Sequence, residues 1–284
     1  MAAMTTSTTT TAAARDGTEL LVRRWSASGP PWASVLIVHG LAEHSGRYEH
    51  VGRWLAAAGL EVHAYDQRGF GGSRGRRAWL DRWTRNLDDL EDRLAVLRVM
   101  ANGRPVVVYG HSLGGLISLG YAVADPPRPL PDALVLSAPA LDSTIPAWKK
   151  SLARILGSVA PTLAMKNELD GGLLSRDPAV GEAYLVDPLN QHATTTRFGA
   201  LAIAEQARVR SALGRLSIPT LVYHGEDDHL IPTAASGPLA SVPGVVRRTY
   251  PLLRHESHNE PEGPAVIADV IAWLRATLKP PEGI

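Results

Sequence analysis

Three sets of residues stand where nucleophilic catalysis would need them. The first is Ser112, in Gly110-His-Ser-Leu-Gly114. The G-x-S-x-G spacing suits a sharp strand-to-helix turn, with glycines where backbones approach too closely for a Cβ. Such a turn strains the serine and exposes its Oγ above a sheet, with a helix N-terminus just behind. The plainer reading is a glycine-rich turn with a capping serine. A serine hydroxyl is a poor nucleophile until a base accepts its proton, and the base needs an orienting acid. Acids follow an apolar run in His224-Gly-Glu-Asp-Asp-His-Leu-Ile-Pro232. Asp228 lies far enough past the glycine to turn back over a sheet end, and Asp227 and Glu226 compete with it. Two histidines, His255 and His258, compete for the role of base after the last strand-like run.

A tetrahedral intermediate also needs donors aimed at its oxyanion. The backbone N–H after the nucleophile, that of Leu113, is one. The loop after His39-Gly40 is expected to supply the other through Leu41. Neither leucine side chain need take part.

These residues require a scaffold that brings distant loops together. Short apolar runs at 33–38, 60–65, 106–109, 133–137 and 219–223 do not alternate, and helical patterns separate several of them. That is the pattern of a parallel sheet covered on both faces, whose working loops lie at the carboxyl ends of the strands. His39, Asp66, Ser112, Asp228 and His255 all fall at such ends. With Ser, Asp and His in that order, the fold class expected is α/β, an α/β-hydrolase fold with a mostly parallel, doubly wound sheet. Thr18 to Ser26 reads as an edge strand, Leu87 to Met100 as an amphipathic helix, and Pro264 to Leu278 as a closing helix. The core is expected over residues 15–139 and 218–284. Residues 140–217 interrupt the strand rhythm and are expected to form a helical cap. Within it, Trp148, Leu152, Ile155, Leu156 and Val159 recur at helical spacing beside Lys149, Lys150 and Arg154. This face is expected to pack on the core. The second reading is a transient contact with a membrane or lipid surface.

Composition narrows the chemistry. The 284 residues include no cysteine, which excludes disulfides and thiolate catalysis. A net charge of +1 gives no electrostatic reason to expect nucleic acid. No apolar run approaches the roughly 20 residues needed to span a bilayer. Residues 1–14 lack a secretory pattern and read as a disordered tail. A cytoplasmic location, with peripheral membrane association as the variant, is the expectation. His255-Glu-Ser-His258 is not H-E-x-x-H, the glycines at 69–72 do not complete a dinucleotide fingerprint, and there is no Walker A sequence. No metal and no cofactor are implied. Asp66-Gln67-Arg68 is expected to close a loop near the site.

His39-Gly-Leu-Ala-Glu-His-Ser-Gly-Arg-Tyr48 resembles the H-G-x-G-E-H-S-G-R-Y loop of monoacylglycerol lipases and related lysophospholipase-like serine hydrolases. Gly110-His-Ser-Leu-Gly-Gly115 is similar to their elbow. Leu174-Ser-Arg-Asp-Pro178 looks like a turn in their caps, and His255-Glu256 with Asn259-Glu260 resembles their terminal segment. The resemblance runs from about Asp16 to Thr277. It implies Ser112 as nucleophile, Asp228 as orienting acid and His255, rather than His258, as base. It further implies a small lipid ester as substrate, most simply a monoacylglycerol. A broader carboxylesterase, lysophospholipase or thioesterase is the alternative, and a non-catalytic binding protein the outside one. Glu43, Arg47 and His258 would lie around the alcohol pocket, with a loop-fixing salt bridge as the other reading of Glu43 and Arg47. Ala42 departs from the family's glycine, which matters if that position needs φ > 0.

Overall fold

The computed structural model describes residues 6–166 and 170–279. Among the described residues, ten strands and seven α-helices follow in the order β1 (Thr8–Ala13), β2 (Glu19–Trp25), β3 (Ala33–Val38), α1 (Glu49–Ala57), β4 (Leu60–Tyr65), α2 (Thr84–Ala101), β5 (Val106–His111), α3 (Leu113–Ala122) and β6 (Ala133–Ser137). Then come α4 (Ala147–Val159), β7 (Ala164–Lys166), α5 (Pro178–Val186), β8 (Ala193–Thr195), α6 (Thr196–Ser211), β9 (Thr220–Gly225), β10 (Val245–Tyr250) and α7 (Gly263–Leu278).

Eight strands form one sheet in the order β1-β2-β4-β3-β5-β6-β9-β10, parallel from β4 to β10. The central strands do not alternate because both faces are covered. On β5, Val106 and Val108 pack with α2 and α3, whereas Val107 and Tyr109 pack toward α1 and α7. Each face therefore buries its own apolar cluster, and the hydrophobic effect fixes the strand register.

Three local expectations change. Thr8–Ala13, placed by sequence in a disordered tail, pairs antiparallel with β2 along its whole length. β2 is consequently an interior strand, and β1 takes the edge. Residues 1–5, the rest of that expected tail, lie outside the described residues. The described residues between β6 and β9 contribute no strand to the main sheet but do contain the short pair β7–β8. Its last helix, α6, packs against both α4 and α3, and Phe198 and Val209 join the core of the sheet. That helix belongs as much to the core as to what lies above it.

Candidate active site

Ser112 sits between β5 and α3 with φ 50° and ψ −114°, a region a residue with a Cβ occupies only under strain. The neighbouring glycines explain why the chain can hold it there. A Cβ on Gly110 would lie 2.6 Å from Gly114 O, and one on Gly114 would lie 2.6 Å from His39 O. The elbow is pressed against the end of β3, and only glycine fits.

Ser112 Oγ lies 3.0 Å from His255 Nε2, and His255 Nδ1 lies 2.7 Å from Asp228 Oδ2. All three side chains are buried. Asp228 Oδ1 accepts the backbone N–H groups of Leu230 and Ile231, each at 2.9 Å. The competing acids are occupied elsewhere. Glu226 accepts from Thr249 Oγ1, and Asp227 faces His229 and Arg254 at the surface. Burial resists charging the His255 ring, but the Asp228 carboxylate outweighs it and raises the His255 pKa. Burial would likewise raise Asp228. The positive charge of His255 and the N–H donors around the carboxylate instead hold it well below the usual range. His111 is pushed down to about 3, by burial first and by His255 next, and so stays neutral beside the serine.

The loop after β3 faces this group. Glu43 organises it: Oε1 accepts Gly40 N–H at 2.5 Å and Tyr48 O–H at 2.7 Å, and Oε2 meets Arg47 Nη1 at 2.5 Å. Ala42 holds φ 65°, so the position does require the left-handed region. Its carbonyl accepts Gln191 N–H at 2.9 Å and Tyr184 O–H at 3.3 Å from across the cleft. Leu113 opens α3, where an N–H has no helical partner. Asp66 accepts Ser45 N–H, Ser45 O–H and Gly72 N–H, while Gln67 N–H donates to His39 Nε2. This segment closes the loop structurally, as expected.

A cavity of about 590 Å³ opens over Ser112. Ile145, Ala153, Met165, Leu174 and Ile231 give it apolar walls, and Glu43, Arg47 and Glu256 a polar end. Arg47 lines the cavity and forms the loop-fixing bridge, meeting Glu256 at 2.6 and 2.8 Å as well as Glu43. His258 departs from expectation. It is buried under Tyr48, stacked at 5.2 Å, and it does not line the cavity. Among the described residues no cluster of His, Asp and Glu could hold a metal ion.

The model of the family described as serine aminopeptidase, S33, matches residues 29–262. The chain belongs to this α/β-hydrolase family. It is 37% identical to a monoacylglycerol lipase of Mycolicibacterium smegmatis, over 92% of this chain and 95% of that protein. A monoglyceride lipase of Homo sapiens is 33% identical over 76% of this chain and 71% of its own length. The crystal structure of Paleococcus ferrophilus monoacylglycerol lipase superposes with a TM-score of 0.80 at 29% identity, covering 91% of this chain and 99% of that one.

In this hydrolase two groups at the site escaped sequence reading. Glu256 was visible only as a motif letter, yet it anchors Arg47 from the loop that carries His255. Tyr184 lies in α5, far along the chain, and covers Arg47 with its ring at 4.9 Å. No local pattern announces either partner. The α4 face also differs from expectation: Trp148, Ile155 and Val159 are 65%, 60% and 72% exposed, and within α4 only Gly157 is buried. Packing on the core is not what this face does.

Proposed function

We propose that this protein is a serine carboxylic-ester hydrolase that cleaves monoacylglycerols to fatty acid and glycerol. The observation that carries the reading is the hydrogen-bonded row Ser112–His255–Asp228 opening into a cavity with apolar walls and a polar end. Its similarity to the monoacylglycerol lipases supports the substrate.

Ser112 Oγ attacks the ester carbonyl carbon while its proton passes to His255 Nε2. Asp228 orients the ring and stabilises the imidazolium. The N–H groups of Leu41 and Leu113 receive the oxyanion as it forms, and a missing donor of this kind costs about 10²–10³ in turnover. Collapse breaks the C–O bond, and the departing alcohol oxygen takes the proton from His255. Water then attacks the acyl-serine, gives its proton to His255, and the acid leaves as Ser112 recovers its own. The acyl chain lies along the Ile145–Met165 wall, and glycerol lies toward Glu43 and Arg47. A cavity of this size is ordinary for a small-molecule ligand.

Residues 140–217 act as the cap. Their exposed apolar face on α4, flanked by Lys149 and Arg154, fits transient contact with an anionic lipid surface where the substrate resides. Among the described residues no helix is long and apolar enough to cross a membrane.

The test is turnover across monoacylglycerols of graded chain length, beside a lysophospholipid and a simple ester, in wild type and Ser112→Ala. Ser112-dependent release of glycerol from monoacylglycerols, faster than cleavage of the other two, is expected. A preference for the lysophospholipid would overturn the substrate, and full activity in Ser112→Ala the mechanism.

A further inference from the structure

Asp228 faces a second histidine besides His255. His224, on β9, is fully buried, and its Nε2 lies 3.0 Å from Asp228 Oδ2 and 3.0 Å from the Ile231 carbonyl oxygen. Both neighbours are acceptors, so Nε2 carries a proton. The other ring nitrogen, Nδ1, lies 3.0 Å from Ser236 Oγ, which accepts Arg247 Nε at 3.0 Å from β10. One carboxylate oxygen therefore serves two imidazoles, since His255 Nδ1 meets the same Oδ2.

We propose that His224 is a positioning residue: its Nε2–H fixes Asp228 Oδ2 where His255 meets it and shares that oxygen's charge with His255. The inference rests on the triad reading above. The backbone donors from Leu230 and Ile231 both hold Oδ1, which leaves the carboxylate able to pivot about that oxygen. His224 supplies the third point that stops the pivot. Sharing has a second effect. An oxygen that served His255 alone would stabilise the imidazolium more strongly and leave less neutral base at a given pH. The charged and titratable groups that face this pair are Arg247, through Ser236, His111, packed 4.9 Å from the His255 ring, and the buried Glu256 and Glu43, whose negative charges favour the His255 imidazolium in the same direction as Asp228.

The experiment compares kcat, KM and the pH profile of kcat/KM on a short p-nitrophenyl ester. His224→Phe removes the donor, and His224→Gln returns an N–H near the position of Nε2. In His224→Phe, kcat is expected to fall roughly 10- to 100-fold with KM unchanged. The acid limb of kcat/KM moves to higher pH, and His224→Gln restores both. A folded Phe variant with the wild-type limb and kcat overturns the proposal, as does a Gln variant no better than Phe. Should the Phe variant fail to fold, Ser236→Ala decides. It leaves the ring in place and releases Nδ1 together with Arg247 Nε, whose guanidinium keeps its Nη2 bond to the Thr233 carbonyl, so a smaller upward move of the limb supports the proposal and an unmoved limb overturns it. Ser112→Ala is the control: a rate it does not lower overturns the triad reading and the proposal with it, whereas its loss beside an unaffected His224→Phe overturns the proposal alone.

Discussion

Arg47 and Glu256 meet as a two-point pair, Nη1 to Oε1 at 2.6 Å and Nη2 to Oε2 at 2.8 Å, and join the loop after β3 to the loop after β10. The first of these loops carries Leu41, the second His255. Asn259 Nδ2 adds a further donor to Glu256 Oε2 at 2.7 Å. Burial would raise the Glu256 pKa, but Arg47 outweighs it and holds the carboxyl well below its usual range.

Arg47→Met would leave two buried carboxylates, Glu43 and Glu256, without their cation. Breaking a buried pair from one side costs about 3–5 kcal/mol. The loss is expected as a lower denaturation midpoint in guanidinium. Combining Arg47→Met with Glu256→Gln should cost less than the two single changes added, and strict additivity would show that the pair is uncoupled.

As the proposed base, His255 would work only when neutral, and Asp228 raises its pKa above the ordinary 6.5. Activity is therefore full at higher pH and declines as pH falls through a value above 6.5. In Asp228→Asn the raising charge is gone and burial remains, so the acid limb of kcat/KM should move to lower pH. Turnover should drop by about 10⁴, the loss typical when such an acid no longer orients its histidine. A limb that stayed in place would mean that another group titrates.

His255 and His258 separate cleanly. His255→Ala should abolish turnover of a p-nitrophenyl ester, by roughly 10⁶-fold as for other triad bases. His258→Phe preserves the stack on Tyr48 and should keep kcat within about tenfold, since a 1 Å disturbance near a site can itself cost 10²-fold. The reverse ranking would transfer the base role to His258.

Ala42 occupies the left-handed region at a cost of roughly 1–2 kcal/mol. Glycine would relieve that strain while gaining entropy in the unfolded chain, so Ala42→Gly should stabilise by about 0.5–1 kcal/mol net. Thermal unfolding measures it, and a lower Tm would show that the turn is not strained by its Cβ.

Trp148→Ser with Ile155→Ser should weaken co-sedimentation with anionic vesicles and slow cleavage of vesicle-borne monoacylglycerol, while a soluble short ester is turned over as before. Equal loss on both substrates would assign the α4 face to folding or to the cavity wall instead.

Much of the site was readable because its chemistry demands special backbone. Gly110 and Gly114 mark the elbow for steric reasons, and the mostly apolar, fully buried strands β3 to β6 point each loop to the same sheet end. What escaped reading depends on partners far apart in sequence. Thr8–Ala13 has little apolar alternation, and only its pairing with β2 makes it a strand. The α4 pattern announces an amphipathic helix but not that its apolar side would be left uncovered. His258 has the right residue type three positions from His255, and only the stack on Tyr48 removes it from the cavity. His224 looked like an ordinary strand end until Asp228 folded back over it.

Gly114 gives the arrangement a consequence beyond the strain it permits. A Cβ there would collide with Val38 O and lie 2.6 Å from His39 O, so the main chain at the end of β3 and the first turn of α3 pack directly against each other. The separation between the Leu41 and Leu113 amides is then a property of main-chain packing, indifferent to which side chains those positions carry. The rim of the cavity can change its shape by substitution at Leu41 while the proposed oxyanion donors stay where they are. A new substrate preference would require different walls, not a rebuilt reaction centre.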